Sequence, residues 1–100
     1  MCGIFALAQR EKPVDVREIK CACSLLQHRG PDQSGYALLN HGTVGFGHNR
    51  LSIQDPAAPP QPLVDQSTGT TIIFNGEVKS AVRPRTDFLL TQNRCMITLR

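Results

Sequence analysis

Long apolar runs are missing from this chain of 100 residues, and no stretch approaches the ~20 consecutive apolar residues that a membrane-spanning helix needs. Only Met1 precedes Cys2, which leaves no room for an export signal, so the cytoplasm is the expected location. In that compartment Cys2, Cys21, Cys23 and Cys95 are expected as reduced thiols rather than as two disulfides. Metal-ligand spacing is absent as well. His28, His41 and His48 form no paired spacing, and Cys21 and Cys23 lie two apart in a predicted helix, where they point about 200° from one another. No metal is therefore expected. Gly45-Phe46-Gly47 lacks the third glycine of a dinucleotide loop and has no parallel-sheet unit around it, which argues against nucleotide binding. The length allows one small domain and excludes a two-domain enzyme, and there is neither an internal repeat nor a low-complexity tract.

Acidic residues run out toward the end of the chain. Residues 1–77 carry six Lys/Arg against seven Asp/Glu, whereas residues 78–100 carry five against one. The expected organisation is a domain over residues 2–77 followed by a divergent basic tail over 78–100. Phe88 is the tail's one aromatic residue and no recognition motif accompanies it, so nucleic-acid binding is disfavoured.

Periodicity gives an outline of the elements. Ile4 to Ala8 reads as a buried strand starting at the very terminus. Asp15 is placed to cap a helix carrying Glu18 in its first turn and Val16, Ile19, Cys23 and Leu26 at helical spacing, with its end near Gln27 or His28. Arg29-Gly30-Pro31-Asp32 is a turn. Gly35 to Leu39 and Thr43 to Gly47 read as a hairpin joined through Asn40-His41-Gly42, and Arg50 to Ile53 as a short extended piece. Asp55 to Pro62 holds four of the seven prolines and is a loop. After a turn at Gln66-Ser67-Thr68-Gly69, Thr70 to Phe74 is the strongest strand signal, closed by Asn75-Gly76. Beyond Glu77 the pattern weakens: Thr86 to Thr91 fits helix or strand, and Cys95 to Leu99 admits a strand.

Cys2 carries the chemistry. Removal of Met1 would leave one residue holding both a thiol and a free α-amine. Such amines titrate near pH ~8 and thiols near ~8.5, so the amine can take the thiol proton without a histidine partner. Behind Cys2 follow His28-Arg29-Gly30-Pro31-Asp32, then Gly47-His48-Asn49-Arg50-Leu51-Ser52-Ile53-Gln54-Asp55, then Asn75-Gly76-Glu77. Singly these are ordinary loops. In this order over residues 1–77 the chain resembles the class II glutamine amidotransferase domain, an N-terminal-nucleophile hydrolase, and most closely that of glutamine-hydrolysing asparagine synthetases.

The resemblance implies an α+β fold, a partial αββα sandwich of antiparallel sheets with a flanking helix. It also implies roles. Cys2 would attack the side-chain amide of L-glutamine and form a thioester, with Asn75 and the backbone amide of Gly76 holding the oxyanion. Arg50 would grip the substrate carboxylate, backbone groups along Leu51, Ser52, Ile53 and Gln54 would complete that wall, and Glu77 would hold the ammonium. His28 to Asp32 would shape the neighbouring loop. No cofactor is implied for this chain, since ATP and magnesium would belong to a synthetase domain, which would be a separate partner domain or chain.

The pattern departs from the family after Glu77. Val78-Lys79-Ser80-Ala81 stands where members carry a Tyr-Asn pair, and Asp87 is the remaining candidate for the family's ammonium-binding aspartate. Two functional expectations result: a glutaminase-type amidotransferase domain, or a truncated, non-catalytic remnant that binds glutamine or a partner chain.

Overall fold

A computed structural model of the chain describes residues 1–53 and 57–76, together with the backbone of Cys95–Leu99. Its elements run β1 (Gly3–Ala8), α1 (Val16–Leu25), β2 (Gln33–Leu39), β3 (Val44–Arg50), β4 (Leu63–Val64), β5 (Thr71–Asn75) and β6 (Cys95–Leu99). Six strands form two three-stranded antiparallel sheets, ordered β1-β3-β2 and β4-β5-β6. With α1, the one helix among the described residues, this is a small α+β architecture, as the resemblance implies at that level.

The helix begins where the sequence places it. Asp15 has extended backbone angles, and its carboxylate accepts from the Arg17 N–H at 2.8 Å, satisfying one of the donors that a helix start leaves open. Side-chain and backbone hydrogen bonds from Arg17 hold the Asp15 carboxyl below its ordinary pKa. The other end is earlier than the expected Gln27 or His28. Leu25 is the last helical residue, and Gln27, Arg29 and Gly30 then bond three residues back, which winds the chain more tightly into Gly30.

One face of α1 lies on the first sheet. Val14, Ile19 and Cys23 are buried together, with Phe5 and Leu7 packed against them. Fully burying a side chain such as Ile19 contributes about 1.5–3 kcal/mol. Opposite it, Gly45 and Gly47 let the helix come close: a Cβ at either would press on Ile19 or Cys23. The Gly-Phe-Gly sequence is thus a landing strip for a helix. Cys21, two residues from buried Cys23, is exposed, and Cys2, Cys21 and Cys23 are free thiols.

Strand β3 extends further than the expected Thr43 to Gly47 and reaches Arg50, because both neighbours pair with it along their length. Its residues Gly45 to Asn49 are all buried, since the helix covers one face and β5 meets the other. Alternation puts Val44, Phe46, His48 and Arg50 on the face away from the helix. The hairpin before it turns through Asn40, His41 and Gly42, all with positive φ (51°, 56° and 83°). Among the described residues no helix is long and apolar enough to cross a membrane.

Candidate functional site

Period two decides where Cys2 points. Gly3, Phe5 and Leu7 lie toward α1, so Cys2 falls on the opposite face, and continuing the β1–β3 register beyond Gly3 and Asn49 sets it across from Arg50. There it borders a cleft of about 550 Å³ whose wall includes His48, Arg50, Leu51, Phe74, Asn75 and Gly76. Residues distant in sequence thus meet at the terminus.

Four contacts fix Cys2. Its backbone nitrogen donates to Asn75 Oδ1 at 3.1 Å, a bond that also identifies which end of the Asn75 carboxamide is oxygen. The Leu51 N–H points at Cys2 Sγ at 3.4 Å, and the thiol faces the Leu51 carbonyl at 3.9 Å. Arg29 donates through Nε to the Cys2 carbonyl at 3.2 Å. The His28–Asp32 segment therefore supports the site from behind. Asp32 contributes as well: its carboxylate accepts from the Ser52 N–H at 2.6 Å, and its N–H donates to the Arg50 carbonyl at 3.0 Å.

Arg50 leaves the end of β3 with its guanidinium in the cleft wall and donates Nη1–H to the Ala58 carbonyl at 2.7 Å. The backbone donors that follow have partners within the protein. Leu51 N–H goes to sulfur, Ser52 N–H to Asp32, and Ile53 N–H to the Leu51 carbonyl at 3.1 Å. Leu51 and Ile53 line the cleft. Gln54, Glu77 and Asp87 lie outside the described residues. Among the described residues no group of three or more His, Cys, Asp or Glu gathers as a metal site.

Four roles are visible only in the structure: the Leu51 amide on sulfur, Arg29 on the Cys2 carbonyl, Gln61 in the cleft wall, and the burial of His48. Backbone donors carry no residue-type signal, and Gln61 sits in a proline-rich loop. His48 is 1% exposed and its Nε2 has no hydrogen-bond partner among the described residues. Burial lowers its pKa; the Phe74 backbone partly opposes this, and the Arg50 charge reinforces it. A histidine whose folded pKa lies below its unfolded value of about 6.5 is protonated first in the unfolded chain, so stability is full above that value and is lost as pH falls through the folded pKa. The urea midpoint is expected to drop as pH falls below about 6.5, and His48→Gln to flatten that part of the dependence.

Comparison with known proteins bears on the same residues. Residues 1–93 match the glutamine amidotransferase domain family. The chain is 40% identical over 83 residues to the glutamine-hydrolysing asparagine synthetase of Asparagus officinalis, 40% to asparagine synthetase 1 of Lotus japonicus and 39% to the nodule enzyme of Pisum sativum. Each alignment covers 78% of this chain and 13% of the relative, so the chain spans about an eighth of those proteins' length. No solved structure matches.

Proposed function

This chain belongs to the glutamine amidotransferase domain family, and from that membership we propose that its cleft hydrolyses the side-chain amide of L-glutamine, with Cys2 as nucleophile. The observation that carries this reading is the convergence on Cys2: Asn75 Oδ1 on its nitrogen and the Leu51 N–H on its sulfur. Once Met1 is removed, the Cys2 nitrogen is an amine. An N–H held by Asn75 restrains that amine's orientation and hence where its lone pair can receive the thiol proton. The Leu51 amide places a donor beside the atom that bears negative charge during attack.

Sulfur then bonds to the amide carbon of glutamine and the carbonyl electrons move to oxygen. Asn75 Oδ1 is occupied by the Cys2 nitrogen, so the Asn75 Nδ2 group and the Gly76 N–H are the donors assigned to that oxyanion, a type of contact worth about 3 kcal/mol of barrier. The tetrahedral species expels ammonia with a proton from the terminal amine, leaving a thioester. Water attacks it, giving up one proton to the terminal amine; the carbon–sulfur bond breaks, glutamate departs, and that proton passes from the amine to sulfur. Arg50, across from Cys2 in the strand register, is assigned the substrate carboxylate, for which a planar guanidinium is suited. Glu77 is assigned the ammonium.

The helix, the first sheet and the second sheet, in which β1 and β3 each touch β5, are read as three layers of a partial αββα sandwich of the N-terminal-nucleophile type. A separate synthetase domain or chain would take up the ammonia, and ATP and magnesium would be bound there. The test pairs turnover with labelling. Purified chain is expected to release glutamate from glutamine and to take one equivalent of a glutamine-like electrophile on Cys2, read by intact mass and peptide mapping. A folded, Met1-free chain that gains no adduct and releases no glutamate overturns the proposal.

A further inference from the structure

Strand β4 is too short for the strand it serves. It pairs with β5 only at Leu63–Ile72 and Val64–Thr71. Extending that register places Gln61 opposite Phe74, the residue just before Asn75. There the expected ladder bond is replaced: the Phe74 N–H donates at 2.7 Å to the Gln61 side chain, Oε1, rather than to a backbone carbonyl. The Gln61 carbonyl lies instead against Gly35 of β2, where any Cβ would collide with it. One residue in the cleft wall thus touches the first sheet through its main chain and is hydrogen-bonded to the second through its carboxamide.

We propose that Gln61 is a positioning residue for the nucleophile: by holding Phe74 it sets the place of Asn75, and through Asn75 the orientation of the Cys2 nitrogen. The inference rests on the amide-hydrolysis reading for its catalytic consequence, and on geometry alone for its structural one. A bare Phe74 N–H would seek another acceptor, and a shift of the β5 end moves Asn75 Oδ1 directly. Misplacement of a reacting group by about 1 Å costs on the order of a hundredfold in rate. Substrate binding is shared with Arg50, on the other sheet, which this shift does not move.

Gln61→Met removes the acceptor at constant length, and Gln61→Glu restores an oxygen acceptor. Expected for Gln61→Met is a kcat lowered by about tenfold or more with a smaller rise in KM for glutamine, and for Gln61→Glu a kcat near that of the parent. A second readout needs no turnover. In chain that retains Met1, Cys2 N is an amide whose hydrogen exchange reports its bond to Asn75. Gln61→Met should speed exchange at Phe74 and Cys2 while Phe46 and the α1 amides keep their protection, and Gln61→Glu should reverse this. If Gln61→Met does not fold, Gln61→Asn, whose carboxamide is one methylene shorter, carries the same expectation. Absence of turnover in the parent chain defeats the hydrolysis reading alone, and exchange then decides for Gln61. Unchanged exchange at Cys2, faster exchange throughout the molecule, or no rescue by Gln61→Glu overturns the proposal.

Discussion

Chain that keeps a residue ahead of Cys2 is expected to release glutamate at least a hundredfold more slowly than trimmed chain, although the two fold alike. The reason lies in one nitrogen. Acylated by Met1, it is a planar amide with no basic lone pair, yet its N–H still reaches Asn75 Oδ1 at 3.1 Å, so the cleft is built whether or not the base exists. Proton transfer by a positioned base accounts for about 10²–10⁴ in rate. Cys2→Ala, which deletes the sulfur and retains the amine, should abolish turnover and electrophile labelling together. Glutamate release measured beside intact mass, for trimmed chain and for chain extended by an uncleaved residue, checks both. Equal rates would mean that the terminal amine takes no proton.

A second large effect is expected at Gly30. The tightened chain after α1 brings this residue flat against the end of β3, where an added Cβ would overlap the Asn49 carbonyl and crowd Arg50. Backbone on both sides cannot rotate aside as a side chain can. Gly30→Val should cost about 3 kcal/mol, at the upper end of ordinary overpacking, and should loosen Arg29 from the Cys2 carbonyl and the Arg50 main chain from Asp32. Gly69 is the control. It has a φ of +71° with nothing near its Cβ position, and Gly69→Asn, a residue that tolerates such angles, should stay within about 0.5 kcal/mol. Urea unfolding of both variants measures the difference, and a Gly30→Val midpoint like that of Gly69→Asn would contradict the packing described.

What could be read in the sequence follows from range. The cap at Asp15, the turn at Asn40-His41-Gly42 and, to within one residue at each end, the strand expected at Thr70 to Phe74 and found at Thr71–Asn75 depend on neighbours a few residues away, and pattern reports such neighbours well. The Arg50 end of β3 depends on pairing with both β1 and β2, which no local window contains, and so the strand looked shorter than it is. The meeting of Cys2, Arg50 and Asn75 was legible only through family order, because nothing in the composition joins positions 2, 50 and 75. Gln61 was beyond either route: its register depends on β4, a strand of two residues, and its bond to Phe74 on where that strand stops. His48 carried a chemical signal, but its burial comes from a second sheet closing over β3.

Met1 is 69% exposed at the lip of the cleft, while Cys2 behind it is already clamped at nitrogen, sulfur and carbonyl. An aminopeptidase can therefore reach its target on a finished molecule. On the proposed mechanism, arming the nucleophile would take only the loss of a protruding residue, which would separate the moment of maturation from the moment of folding.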